Sequence, residues 1–205
     1  MNHPAADRIV GLYDDKAADW IRDRGEDLQV GTSDPDEAVW LDRLLDGLPA
    51  GATVLDVGCG SGWPIGVALL RRGFGVTGLD ASPGLIDHAR TTLPQGDWRL
   101  GDMRKTLPAG RFDAVLAWHS LFHLTPEAQA RLLPELAGRV ADGGRLMFTA
   151  GPAHGETLGE WRDEPLYHGS LDTDVYRRLL TEAGLSVEAA ENGVWLARRA
   201  FLSAK

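Results

Sequence analysis

The segment Thr53-Val54-Leu55-Asp56-Val57, running directly into Gly58-Cys59-Gly60-Ser61-Gly62, constrains this chain more than any other stretch of similar length. A short apolar run without polar alternation predicts a strand covered on both faces, as in a parallel sheet. Glycines immediately after such a strand let the backbone turn sharply and let a ligand approach the main chain where side chains would obstruct it. The spacing is G-x-G-x-G, and Trp63 stands where a dinucleotide fingerprint has its third glycine. A nicotinamide or flavin dinucleotide is therefore disfavoured. A phosphate loop fails as well, because no Gly-Lys-Ser/Thr follows.

The rest of the chain repeats the strand-then-helix theme. A helical N-terminal part is expected through about Gly47, with Val39, Leu41, Leu44, Leu45 and Leu48 at helical spacing and Pro49 and Gly51 as stop signals. After the first strand come a helix from Trp63 to Arg72, a strand from Gly75 to Leu79 closed by Asp80, and a helix opened by Ser82-Pro83. Strands are predicted at Trp98–Leu100, Phe112–Trp118 and Arg145–Ala150, with a helix opened by Thr125-Pro126-Glu127 and bent at Pro134. Residues 151–170 read as a looser insert, too long and too rich in polar and aromatic residues to be a simple connection. A helix from Asp172 to Ala183 and strands at Leu185–Ala189 and Val194–Arg198 follow, the last two joined by a hairpin signal at Asn192-Gly193. Strands alternating with helices imply a doubly wound α/β fold with a mostly parallel sheet. Residues 1–48 are expected to form a helical cap, and residues 49–205 the main domain.

The 205 residues suit one domain with a substantial core. No apolar run approaches the roughly 18 residues of a membrane span. Met1–Val10 carries Asp7 and Arg8 and lacks a secretory h-region, so a cytoplasmic location is expected. Cys59 is the single cysteine, which excludes an internal disulfide or a cysteine metal cluster, and it reads as a small packing residue. A formal net charge of −9 argues against nucleic acid or an anionic membrane surface as partner. Nothing in the chain specifies an oligomeric state.

In such a sheet ligands lie beyond the carboxyl ends of the strands, near the switch point. Two acids fall there. Asp80 ends the second strand, where a carboxylate can accept from both hydroxyls of a ribose, and Asp102 follows the third strand in Gly101-Asp102-Met103. Val54-Leu55-Asp56-Val57-Gly58-Cys59-Gly60-Ser61-Gly62, Val76-Thr77-Gly78-Leu79-Asp80-Ala81-Ser82, Gly101-Asp102-Met103 and Phe112-Asp113-Ala114-Val115-Leu116-Ala117 occur in that order. They resemble the ordered motifs of the class I S-adenosylmethionine-dependent methyltransferases, and the resemblance runs from about Leu41 to Arg199. It implies a seven-stranded sheet with an antiparallel last strand and S-adenosylmethionine as cofactor, leaving S-adenosylhomocysteine as product. By the same resemblance Gly58 and Gly60 approach the methionine moiety and Asp56 supports its ammonium. Asp80, with Ala81 beside it, holds the ribose. Asp102 and the Met103 backbone read the adenine, and Trp118 is counted with the cofactor-binding residues. Tyr13 and Trp20 resemble aromatic lid residues that face the substrate.

Methyl transfer from a sulfonium requires alignment of the nucleophile and, for many acceptors, removal of a proton. The expected place is the end of the fourth strand, where His119 and His123, four residues apart, share a face if a helix begins there. The insert adds His154 as a third candidate base. It also supplies Glu156, Trp161, Tyr167 and His168, a mixture suited to binding an aromatic or cationic small molecule. No tight ligand motif such as H-E-x-x-H is present, so no metal is expected. The reading is methyl transfer to oxygen or nitrogen of a small molecule. A peptide or protein methyltransferase, a non-catalytic S-adenosylmethionine-binding module and a different use of the sulfonium stand as alternatives.

Overall fold

A computed structural model describes residues 3–25, 35–151 and 153–201. Helices α1 (Pro4–Asp15), α2 (Ala17–Arg24) and α3 (Pro35–Leu45) precede β1 (Thr53–Val57). Then follow α4 (Ile65–Arg71), β2 (Gly75–Asp80), α5 (Pro83–Thr92), β3 (Asp97–Leu100) and β4 (Phe112–Ala117). A single 3-10 turn (Leu121–His123) leads to α6 (Pro126–Gly138), β5 (Val140–Thr149), β6 (Gly155–Trp161) and β7 (Glu164–Ser170). The last described elements are α7 (Thr173–Glu182), β8 (Leu185–Glu191) and β9 (Val194–Arg199).

Seven strands form one sheet in the order β3-β2-β1-β4-β5-β9-β8. Strand β9 runs antiparallel to both β5 and β8, and the other pairings are parallel. The chain leaves β1 in one direction and returns to its other side with β4, so the switch point lies between β1 and β4, where their carboxyl ends open a crevice. Alternate strand residues feed two cores. Leu55, Val57, Val115 and Ala117 pack with α6 and α7, and Val54, Ala114 and Leu116 pack with α3, α4 and α5.

Local chemistry places the helix starts. Ser82 Oγ accepts from Leu85 N at 3.3 Å and Thr125 Oγ1 from Ala128 N at 3.3 Å, each followed by proline at the first helical position. Helix α4 starts two residues later than the pattern suggests, because Trp63 and Pro64 still belong to the glycine turn. Strand β5 starts earlier than Arg145. Val140 pairs with Phe112, and the register then slips past Gly143, whose φ of +80° makes the bulge. Helix α6 runs on through Pro134 to Gly138.

Residues 151–170 are not a loose insert. Strands β6 and β7 form a separate antiparallel hairpin whose tip, Arg162-Asp163, has φ of +53° and +64°. That tip demands two left-handed residues without the glycine or asparagine that normally announces it. Among the described residues no helix is long and apolar enough to cross a membrane.

Candidate functional site

At the carboxyl ends of β1, β2 and β4 lies a cavity of about 290 Å³. Its floor is the glycine turn. Gly58 N donates to Leu79 O at 2.7 Å, and a Cβ at Gly58 would stand 2.3 Å from Ser120 Cβ. Ser120 is held there by donating to Val57 O at 2.7 Å. Asp80 locks the turn from the next strand, its Oδ2 accepting from Gly60 N and its Oδ1 from Ser82 N, both at 2.9 Å. Burial raises its pKa against those backbone donors. Asp56 is buried beside it and is pushed up to about 7 by burial, then by the charges of Asp80 and Glu37, against the pull of Arg24. Arg24 itself pairs with buried Glu37 at 3.3 Å.

The remaining donor-side residues also line the cavity. Ala81 does so next to Asp80. Asp102 accepts from the Arg104 guanidinium and from Arg104 N at 2.9 Å; burial opposes its charge, but these bonds outweigh it and hold its pKa down. The Met103 side chain reaches back over the glycine turn, its Cε 3.3 Å from where a Gly58 Cβ would be. Trp118 is buried, and its Nε1 has no hydrogen-bond partner among the described residues.

The N-terminal helices and the hairpin roof the cavity. Trp20 Nε1 lies 3.1 Å from where a Gly60 Cβ would be. Tyr13 meets Trp20 edge-on at 5.2 Å and stacks on Trp161 at 5.8 Å. Asp14 Oδ1 accepts from Ser82 Oγ at 3.0 Å and Gly84 N at 3.2 Å, fastening α1 to the start of α5. Arg162, at the hairpin tip, pairs with Asp19 and Asp23 on α2.

The histidines part company. His119 lines the cavity half-buried, with a φ of +50° and its N–H donating to Thr149 Oγ1 at 2.8 Å. A non-glycine residue held in the left-handed region marks a position the surroundings over-determine. His123 is buried. Its Nδ1 lies 2.9 Å from Tyr167 O, which can only accept, so Nδ1 carries the hydrogen and Nε2 accepts from Tyr13 Oη at 3.0 Å. Burial, with His168 and His119 nearby, lowers the His123 pKa to about 4 despite the bond to Tyr167 O. Burial of Tyr13, with the charge of Asp80, raises its phenol, so it stays a hydroxyl.

The expectation that His119 and His123 share a helical face is corrected, since the segment is one 3-10 turn and Phe122 contacts both rings, at 5.9 and 4.7 Å. His168 lines the cavity 5.4 Å from His123, and burial lowers its pKa. His154 is exposed and outside the cavity wall. Glu156, Trp161 and Tyr167 do not line it either. Strand alternation is the reason for Tyr167: Leu166 and His168 face the cavity, and Tyr167 between them points away, buried against Ala6 and Ile9. Its hydroxyl donates to exposed Glu156. Trp161 acts indirectly, as the stacking partner of Tyr13.

Arg24 and Ser120 line the cavity and Asp14 fastens its roof, and none of the three is among the sequence candidates. Ser120 carried a signal, a small polar residue just past β4; Arg24 and Asp14 looked like ordinary helix-surface charges. Among the described residues no three His, Cys, Asp or Glu side chains are grouped to hold a metal ion. The cradle fits a nucleoside-bearing cation. It offers carboxylates at three strand ends, one of them disfavoured as an anion until a positive charge joins it, and an unpartnered buried indole donor.

Residues 54–144 match the family model of a methyltransferase domain. The chain is 38% identical over 130 residues to the magnesium-protoporphyrin O-methyltransferase of Rhodobacter capsulatus, covering 60% of this chain and 55% of that protein. It is 30% identical over 145 residues to a ubiquinone biosynthesis O-methyltransferase of Coxiella burnetii, covering 68% of this chain and 60% of that protein. The chain thus spans a little over half the length of these two relatives. Its fold matches the S-adenosylhomocysteine complex of DhpI with a TM-score of 0.71 at 22% identity, over 98% of this chain and 99% of that one. It also matches the magnesium protoporphyrin IX methyltransferase of Synechocystis PCC 6803, solved with S-adenosylmethionine bound, with a TM-score of 0.68 at 20% identity over 98% and 99% of the two chains. The chain thus carries a stretch that matches a methyltransferase domain, at residues 54–144, within a fold that it shares with these solved methyltransferases.

Proposed function

We propose that this protein transfers the methyl group of S-adenosylmethionine to an oxygen or nitrogen of a small-molecule acceptor. The observation that carries the reading is the roof: α1, α2 and the β6–β7 hairpin close over the strand ends by aromatic contact and ion pairs, leaving a pocket rather than a groove for a peptide. The named relatives with small-molecule acceptors support the same class. When bound, the cofactor supplies an electrophilic methyl on a sulfonium. Asp56 is assigned to its ammonium, Asp80 to the ribose hydroxyls, and Asp102 with the Met103 backbone to the adenine.

The acceptor half combines Ile9, Val10, Phe122 and Leu166 with the polar edges of Tyr13, His119 and His168. Tyr13 donates its O–H to His123 and so presents only oxygen lone pairs, suited to orient an acceptor O–H or N–H. His123 is satisfied at both nitrogens and serves to hold Tyr13. The proton leaving the acceptor is assigned to the ring of His119, at the strand end beside the donor site.

The test is a screen of small acids, phenols and amines with isotopically labelled donor, read by mass spectrometry for an added methyl group. Methylation of a small molecule is the expected result. Label appearing only on peptides, with none on small molecules, overturns the acceptor class. Calorimetry with S-adenosylhomocysteine is expected to show micromolar binding, about −8 kcal/mol. No binding overturns the donor site.

A further inference from the structure

Gln129, in the first turn of α6, is fully buried. A buried primary amide is costly unless its hydrogens and its oxygen all find partners. Here they do. Nε2 donates to Leu124 O and to Gly169 O, both at 2.8 Å. Oε1 accepts from the Tyr176 hydroxyl, whose oxygen in turn accepts from Leu171 N at 3.1 Å. Leu124 directly follows His123, and Gly169 directly follows His168.

Among the described residues the hairpin has no strand pairing to the main sheet, since β7 pairs there with β6 alone. What holds the hairpin to the 3-10 turn is therefore side-chain chemistry. The Gln129 amide supplies two of those bonds and His123 Nδ1–H the third. The approach is tight: a Cβ at Gly169 would stand 2.7 Å from Leu124 O. Helix α6 is anchored in the main core through Leu132, Leu133 and Leu136, so the amide extends a rigid frame to the hairpin.

We infer that Gln129 is the positioning residue of the acceptor wall, setting the distance between the turn that carries His123 and the strand that carries His168. This rests on reading the cavity as an acceptor site. Without the clasp, β7 can draw back, the Tyr167 carbonyl leaves His123 Nδ1–H, and the tautomer that makes Nε2 the acceptor for Tyr13 is no longer imposed. The polar groups facing the His123 ring are Tyr13 from α1, His168 and the Tyr167 carbonyl from β7, and His119 from the end of β4.

The test is nitrogen NMR of ring-labelled histidines at neutral pH, which reports the His123 tautomer without any acceptor, beside calorimetry with S-adenosylhomocysteine. In the wild type His123 is expected as the Nδ1–H tautomer. Gln129→Leu should convert at least a third of it to the Nε2–H form, with product affinity changed less than twofold. Tyr176→Phe, which removes one bond of the clasp and preserves the fold better, should produce a smaller change of the same kind. Leu136→Ala, a cavity on the same helix away from the clasp, should leave the tautomer alone. The inference is overturned if both clasp variants keep the wild-type tautomer. It is equally overturned if Leu136→Ala shifts it as much, or if product affinity drops tenfold together with the tautomer, because each would mean general loosening. If even the wild type fails to bind the product, the donor reading falls and the tautomer measurement still decides the clasp.

Discussion

Asp80 serves the binding site twice, once as a candidate ribose acceptor and once as the staple between the glycine turn and the start of α5. Asp80→Ala is therefore expected to weaken S-adenosylhomocysteine binding by roughly 1–3 kcal/mol, the loss typical of charge-assisted hydrogen bonds, and to lower the melting temperature as well. Calorimetry checks it, and an unchanged affinity removes Asp80 from the ribose site. At the chemical end, His119→Ala should lower turnover by roughly 10²–10⁴-fold with donor affinity little changed, the signature of a lost general base. A loss under about tenfold shifts the proton to His168 or leaves catalysis to alignment alone. Tyr13→Phe leaves His123 Nε2 buried without its donor and should cost about 1–3 kcal/mol of stability in denaturant unfolding. These residues differ in how readable they were. Asp80 is legible because a carboxylate closing a strand after a glycine turn has few other uses. His123 is not, because its neighbours in sequence say nothing of Tyr13, 110 positions away, which occupies its free nitrogen.

Among the elements, the cap of α1 and α2 touches the main body through polar and aromatic contacts that include Asp14 at the start of α5, Tyr13 at His123 and Trp161, Trp20 over the glycine turn, Arg24 at Glu37, Ala6 and Ile9 on Tyr167, and Arg162 to α2. None of these belongs to the two cores that flank the sheet. A chain lacking residues 1–25 is thus expected to keep its seven-stranded sheet, by circular dichroism and a cooperative melt, and to bind S-adenosylhomocysteine at least tenfold more weakly. Failure of that chain to fold would make α1 and α2 part of the core and sink the lid reading. The exposed Arg162 ion pairs contribute little alone, screened as they are by solvent, so the aromatic contacts of Tyr13, Trp20 and Trp161 carry the closure. At this scale the sheet strands were legible and the hairpin was not. Buried parallel strands announce themselves by continuous apolar runs, whereas β6 and β7 carry few apolar residues and turn at Arg162-Asp163 without a glycine.

For the whole molecule, two buried groups tie stability to pH in opposite senses. Asp56, raised from 3.8 to about 7, keeps a proton in the folded chain that the unfolded chain has lost. Its contribution is present in full below about pH 4 and is lost as pH rises through about 7. His123, lowered from 6.5 to about 4, contributes in full above about pH 6.5 and loses that contribution as pH falls through about 4. The two oppose each other from about pH 4 to about 7, where the histidine contribution levels off; lowered His168 adds to the sense of His123 and raised Asp80 to that of Asp56. Between pH 6.5 and 7.5 the ligand-free protein should therefore lose melting temperature relative to the Asp56→Asn variant, which keeps the other titrating groups. Scanning calorimetry of both proteins at the two pH values checks it. A wild-type melting temperature that changes across this interval just as the variant's does would contradict the burial of Asp56.

The sequence by itself determined the strand-helix alternation, the glycine turn and the acids at three strand ends, because each depends on residues close together in the chain: apolar runs, caps, glycines and the carboxylate just past a strand. The antiparallel last strand was equally within reach, since Asn192-Gly193 announces the turn that makes it. Only the tertiary structure decided which side chains meet over the cavity. Tyr13 with His123, Trp20 with Gly60, and Gln129 between two histidine-bearing segments all join elements distant in sequence. Such pairs leave no periodicity behind. They exist because a polar or aromatic group buried between elements must find its partner in whatever the packing of those elements brings within reach.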